Sequence, residues 1–248
     1  RDLRMSRGLG DVYKRQGRIR VETECREDKV KFYTGLYHAL LGRGLASDVN
    51  GAYPRNDGSV GQLPMKEGTP LYNIYNTDAA WGAQWNLSQL WILAYPEYMS
   101  EYISSHLQAY KDAGWLADGL ANNRYVSGVG TNLLSTIIAG AYECGIRDFD
   151  TKTAYEACLK NELEGKNRPF GAGKVNTTEF VKYGYVPHQD TGEGYHETFM
   201  FSASHTLEYS YSAWAVAQWA KQLGDEAHYS QLMDLSKGWE LSLIHISE

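Results

Sequence analysis

The segment Tyr72–Met99, YNIYNTDAAWGAQWNLSQLWILAYPEYM, joins two helical patterns across a single proline. Asn76 and Thr77 stand as cap candidates before apolar residues at helical spacing, and Pro96 stops that helix while opening the next. The spacing predicts one helix over about Asp78–Ala94 and a second over about Glu97–Lys111, closed by Gly114. A turn this short forces the two rods into antiparallel contact. Trp81 and Trp85 are four residues apart and share a face near the start, whereas Trp91 lies deeper on another face and is assigned to the core.

Outward from this hairpin the same unit recurs. A first helix is expected over about Glu22–Leu41, with Val30, Tyr33, Tyr37, Leu40 and Leu41 on one face. Helices over about Val129–Cys144 and Thr151–Glu164 are joined by the short GIRDFD, and helices over about Thr206–Leu223 and Glu226–Trp239 by LGDE. Between these pairs run long connections rich in Gly, Pro, Asn and Asp, including one from Gly165 to about Ser204. Three αα-hairpins with short turns put every turn at one end and every long loop at the other. This predicts an all-α fold, a partial (α/α) toroid with inner and outer helices alternating around an axis. A plain bundle is the alternative; a solenoid needs a fixed repeat that these uneven loops lack. Among strands, only a short hairpin inside Asn50–Tyr72 is expected.

The 248 residues, with 43% hydrophobic and 22% charged, fit a globular protein rather than a disordered chain. No apolar run approaches the roughly 20 residues that span a bilayer, so no membrane partner is expected. A net charge of −6 and dispersed Arg and Lys argue against nucleic acid. Cys25, Cys144 and Cys158 are an odd number without metal-ligand spacing and imply no disulfide framework. Nineteen Tyr and seven Trp favour sugar recognition, because an aromatic face covers C–H surface while polar edges meet hydroxyls. The basic, aperiodic residues 1–16 and the tail 241–248 (DVYKRQ and SLIHIS resemble translated adapter read-through) are expected to be non-native flanks, leaving 17–240 as the domain.

The long-loop end gathers SDVNG (47–51), DGLANNRY (118–125), HQDTGEGYHETF (188–199) and the start of the Trp81 helix. Loops presented by a rigid scaffold are where function concentrates. Trp81, Trp85, Asp78 and Glu208 are therefore the candidate substrate-binding residues. Asp78 equally suits a helix first turn, and Glu208 a dipole-matched position beside an N-cap at Ser204 or His205. Asp48, Asp118, Asp190, Glu193 and Glu197 share that end without a partner set by spacing. His188, Asp190, Glu193, His196 and Glu197 match no helical metal motif, and calcium seeks six to eight oxygen ligands rather than imidazoles. No metal site is assigned.

Three motifs carry a family resemblance. KFYTGLYHALLGRGLASDVNGAYP (31–54) is similar to F-Y-T-A-L-Y-H followed by S-D-V-N/D-G-x-Y of glycoside hydrolase family 92. AYECGIRDFD (141–150) resembles that family's A-Y-x-K-G-I-x-x-F-D, and SHTLEYSYSAWAVAQWAKQLG (204–224) its S-x-T-L-E-Y-A-Y-D-D-W-x-I-A-x-x-A-K-x-L-G. The resemblance implies a calcium-dependent, inverting exo-α-mannosidase with an N-terminal β-sandwich and an (α/α)6 catalytic domain. It also implies that the sandwich, the last barrel helices, the calcium ligands and the acid–base loops (E-G-N-x-W-Q-like and G-N-D/E-D-x-G-like) lie outside these residues. Its expected partner is an α-mannoside or glycan, and its expected location secreted or periplasmic.

The departures are specific. Where the family has S-x-W-D-x-x-R, the stretch AAWGAQW (79–85) keeps Trp81 but has Gly82 and Trp85 for the Asp and Arg; Ser212 and Ala213 replace the acidic pair of Y-D-D-W. These replacements keep a non-catalytic carbohydrate-binding relative open. Another (α/α) toroid enzyme, such as a lyase or glucanase, and a helical interaction scaffold are further alternatives.

Overall fold

The computed structural model describes residues 17–40, 44–77, 80–126, 129–188 and 201–243. In chain order it contains α1 (Arg26–Leu40), two small hairpins β1–β2 (Ala52–Pro54, Val60–Gln62) and β3–β4 (Met65–Lys66, Thr69–Pro70), α2 (Ala80–Gln84), α3 (Leu87–Ala94) and α4 (Pro96–Ala113). Then come the hairpin β5–β6 (Gly119–Ala121, Arg124–Val126), α5 (Leu134–Glu143), α6 (Thr151–Leu163), α7 (Thr177–Tyr183), α8 (Ser202–Leu223), α9 (Glu226–Leu235) and α10 (Gly238–Leu243). All three hairpins are antiparallel and two-stranded, so helices carry the architecture.

The hairpin grammar of the sequence holds. Pro96 opens α4 with Glu97 in its first turn, and Gly114 closes it at φ 79°, donating to the Tyr110 carbonyl. Asp150 caps α6 by accepting from the Thr153 amide at 3.1 Å, and Asp225 caps α9 by accepting from His228 at 3.2 Å. The pairs α3–α4, α5–α6 and α8–α9 are thus joined by tight turns. These turns meet at one end: Arg18 bonds the Ala94 carbonyl and Glu97, Ser100 Oγ donates to the Asp148 carbonyl, and Arg147 donates to Gln222.

Inner helices α2/α3, α5 and α8 stand side by side, with α4, α6 and α9 behind them, giving the arc of a partial (α/α)6 toroid. The core runs between the two layers. Trp91 is fully buried against Tyr98 and Tyr102, as its face assignment predicted. Trp219 stacks on Tyr142 at 4.6 Å and meets Tyr155 edge-on, binding α8 to α5 and α6. Each such indole contributes on the order of 2–3 kcal/mol by burial.

Two expected helices are interrupted. The rod expected over Asp78–Ala94 breaks at Trp85–Asn86, where Asn86 takes φ −155° and the Gln84 carbonyl is claimed by the side chains of Ser88 and Gln89. The rod expected over Glu226–Trp239 breaks after Leu235, and Gly238 restarts it where the backbone passes close to the Gly184 carbonyl and Ser210, leaving no room for a Cβ. Three elements go beyond the sequence reading: β5–β6, the second hairpin before residue 72, and α7 inside the loop after Gly165.

Candidate functional site

The long loops meet at the end opposite the tight turns, and main-chain hydrogen bonds do the joining. Thr77 exchanges bonds with Leu120: its amide donates to that carbonyl at 2.8 Å and its hydroxyl accepts from that amide at 2.9 Å. The Asn76 side chain accepts from the Asn122 amide, so both cap candidates bond β5–β6. The Ala80 amide donates to the Asp118 carbonyl, Asp118 N to Gly171, Gly173 N to Leu116 and Val175 N to Gly130. The hairpin β1–β2 joins through Asn123 to the Pro54 carbonyl.

Inner helices enter this rim together. Gln84 Nε2 donates to the Tyr211 hydroxyl at 3.0 Å, tying α2 to α8. Trp81 is one turn before Gln84, and Glu208 is three residues before Tyr211. The bond therefore sets Trp81 and Glu208 on the rim-side turns of neighbouring helices. Trp81 is 44% exposed and Trp85 66%. Trp85 sits in the break between α2 and α3, so the continuous helical face expected to carry both indoles ends before it. Asp78 lies outside the described residues.

Glu208 is half-buried. Because α8 begins at Ser202, earlier than expected, Glu208 falls in the second turn and His205 inside the helix, so a first-turn dipole role does not account for it. Burial pushes the Glu208 carboxyl above its ordinary range, and the nearby Lys174 ammonium opposes that rise. His205 is buried with Nε2 at 3.1 Å from the Val129 carbonyl, and burial lowers its pKa to about 4.

Beneath Glu208 lies a cluster that the sequence reading missed. Lys174 Nζ donates to Glu162 at 2.5 Å and to Ser212 Oγ at 2.7 Å, and lies 5.1 Å from the Tyr209 ring centre. Ser135 and Ser212 both donate to the other Glu162 oxygen, and Asn161 donates to Ser135. The Lys174 and Glu162 side chains are each 1% exposed. Burial lowers the lysine pKa, and Glu162 opposes that shift. One signal could have found the acid: Ala154, Ala157, Cys158 and Asn161 mark the core stripe of α6, and Glu162 is four residues after Cys158. Nothing in GAGKV marks Lys174.

The remaining acidic candidates separate. Asp48 is exposed, and its main chain closes a turn with Gly51 and Ala52. Asp118 is 1% exposed and accepts from the Asn132 amide at 3.2 Å, bracing the rim. His188 is exposed, while Asp190, Glu193, His196 and Glu197 lie outside the described residues. Among the described residues no three His, Cys, Asp or Glu side chains converge as metal ligands.

Below the rim, a groove of about 300 Å³ runs along the inner faces between Gln84, Ser88, Ile137, Gly140, Tyr211 and Trp214. Tyr211 and Trp214 stack at 15° along it. Among the described residues no helix is long and apolar enough to cross a membrane.

Comparison with known proteins agrees with this architecture. A secreted glycosidase of Arthroderma benhamiae, described as uncharacterized, is 32% identical over 159 residues, which is 61% of this chain and 19% of that protein. The GH92 α-mannosidase BT3965 of Bacteroides thetaiotaomicron superposes on 95% of this chain and 29% of its own, with TM-score 0.78 and 23% identity. The inverting mannosidase BT2199 of the same organism covers 95% and 30%, with TM-score 0.79 and 22% identity. The chain thus spans about a fifth of the curated relative and under a third of the solved structures, whose likeness carries the fold. Residues 14–243 match the model of the glycosyl hydrolase family 92 catalytic domain, and the chain belongs to that family of glycosidases.

Proposed function

We propose that this chain supplies one wall of the sugar cleft of an inverting exo-α-mannosidase acting on α-mannosides or glycans. The observation that carries the reading is the pairing across the Gln84–Tyr211 bond: an exposed indole on one inner helix and a half-buried carboxylate on the next, both at the loop rim. An indole face covers the C–H side of a pyranose, and a carboxylate accepts from two neighbouring hydroxyls. Trp81 and Glu208 take these parts, with Trp85 and Asp78 at the margin.

An inverting reaction needs an acid on the leaving oxygen and a base on water, with carboxyls about 6.5–9.5 Å apart. In this reading both come from chain beyond residues 1–248, as do the calcium ligands, the remaining barrel helices and the β-sandwich. The protein is secreted, in keeping with its curated relative. By itself the chain binds mannosides weakly and does not hydrolyse them. Titration with methyl α-mannoside, followed by tryptophan fluorescence, should give a saturable change that Trp81→Ala removes. A response independent of Trp81, or release of mannose by this chain alone, would sink the proposal.

A second reading has a specific motive: Gly82 and Trp85 stand where the family pattern carries Asp and Arg. It makes the protein a carbohydrate-binding relative without catalysis. A longer reading frame that lacks the acid and base loops would favour it.

A further inference from the structure

Below the rim, three neighbouring inner helices leave polar groups uncommitted around one groove. Gln84 on α2 is 5% exposed and Thr136 on α5 is 4% exposed. Among the described residues, neither Gln84 Oε1 nor Thr136 Oγ1 has a hydrogen-bond partner. Turning the Gln84 amide over would orphan Nε2 instead, so one of its ends is unpaired in either orientation. On α8, the Tyr211 hydroxyl accepts from Gln84 at 3.0 Å, and its own hydrogen has no acceptor among the described residues. All three side chains line the groove of about 300 Å³, whose remaining wall includes Ile137, Gly140 and Trp214.

Buried donors and acceptors are costly to leave unpaired, and native chains keep few of them. Apolar side chains laid over this groove would seal the unpaired atoms in. Hydroxyls, each both donor and acceptor, would satisfy them. The terminal torsion of a glutamine is soft, so a modest turn brings the free end of Gln84 to the groove that it lines. Tyr211 and Trp214, stacked at 15°, offer apolar surface beside these polar groups. Polar groups next to an aromatic wall select a polyhydroxylated ligand with an apolar face, which describes a pyranose. Position agrees: Gln84 is three residues after Trp81, and Tyr211 three after Glu208, so the groove opens roughly 5 Å below the sugar wall. We propose that Gln84, Thr136 and Tyr211 form the floor of the sugar site and receive the hydroxyl edge of a mannoside whose C–H face lies on Trp81. The Tyr211 hydroxyl donates to that edge, and the free end of the Gln84 amide and the Thr136 hydroxyl bond its other hydroxyls. This rests on the sugar reading of Trp81 and Glu208.

The test is a ligand-observed NMR titration of the whole chain with methyl α-mannoside and with the analogues that each lack one of its hydroxyls. Wild type is compared with Gln84→Met, Thr136→Val and Trp81→Ala. Gln84→Met and Thr136→Val should each weaken the parent mannoside roughly three- to tenfold, the loss of one hydrogen bond. Thr136→Val removes a hydroxyl that is unpaired in the free protein, so it should fold at least as stably as the wild type and covers a Gln84 variant that does not fold. In the wild type, one analogue should bind weaker by a similar factor, and in Gln84→Met that analogue should bind no worse than the parent sugar. A purely structural role would weaken parent and analogues alike. Unchanged affinity in Gln84→Met and Thr136→Val, or the same ranking of analogues in wild type and variants, overturns the proposal; the sugar wall still stands if Trp81→Ala abolishes binding. Binding that ignores Trp81→Ala yet shows the Gln84 coupling removes the wall and keeps the floor. No saturable binding by the wild type overturns both.

Discussion

Glu162→Gln removes the carboxylate that neutralises Lys174 while keeping the side-chain volume. The ammonium is then left without a countercharge in a site 1% open to water, with the neutral oxygens of the new amide and of Ser212 as its close acceptors. Breaking a buried pair from one side costs about 3–5 kcal/mol. A ceiling also follows, because the lysine can surrender its proton instead. From the ordinary value of 10.5 down to pH 7, deprotonation costs about 3.5 units at 1.36 kcal/mol each, or about 4.8 kcal/mol. At pH 9 the same ceiling falls to about 2 kcal/mol. The sign is fixed by linkage: a lysine held neutral in the fold binds its proton only when unfolded, so stability rises with pH below the ordinary lysine value. Urea unfolding, followed by the fluorescence of the buried Trp91 and Trp219, should show a loss of about 3–5 kcal/mol at pH 7 that narrows to about 2 at pH 9. The double variant Lys174→Met/Glu162→Gln should recover most of it. A loss that is the same at both pH values, or equal in the single and double variants, would refute the reasoning.

Two further expectations follow from the same structure. Glu208 has a raised carboxyl pKa, so the fold binds its proton more tightly than the unfolded chain does; that contribution is complete below the ordinary value of 4.5 and is lost as pH rises through the folded value. Glu208→Gln should therefore be more stable than the wild type at pH 7 and lose that advantage below about pH 4, as read by paired urea titrations. Trp91→Ala empties the contact with Tyr98 and Tyr102 and should cost about 3–5 kcal/mol, whereas Trp85→Ala on an exposed ring should cost under about 0.5, as measured by thermal unfolding.

The helical hairpins were legible because their punctuation is local. Pro96 and Gly114 act within one turn of their own position and the structure uses both as read, while Asp150 and Asp225, inside the short turns, cap the helices that follow. Trp91 was legible as core because its face follows from helical period. The breaks at Asn86 and Lys237 were not, since they depend on which distant group competes for a carbonyl or fills the space of a Cβ. The gathering of loops followed from turn lengths alone, but its fastening did not. Thr77 reads as a cap, and its hydroxyl bonds Leu120, 43 residues away, which no local pattern announces. At the site, Glu208 could be placed on the rim from its helix, whereas its neighbour Lys174 comes from a loop with no period to read. Glu162 betrayed itself only by standing on a core stripe, where a carboxylate needs a partner.

The rim owes its shape to peptide groups. Amides and carbonyls of residues 77, 80, 116, 118, 120, 130, 171, 173 and 175 lace the connectors together, and such groups are common to nearly every amino acid. Side chains pointing outward from that lacing can therefore be exchanged without loosening it. A scaffold of this kind leaves exposed positions such as Gly82 and Trp85 free to vary, and it lets surface chemistry drift while the frame stays in place.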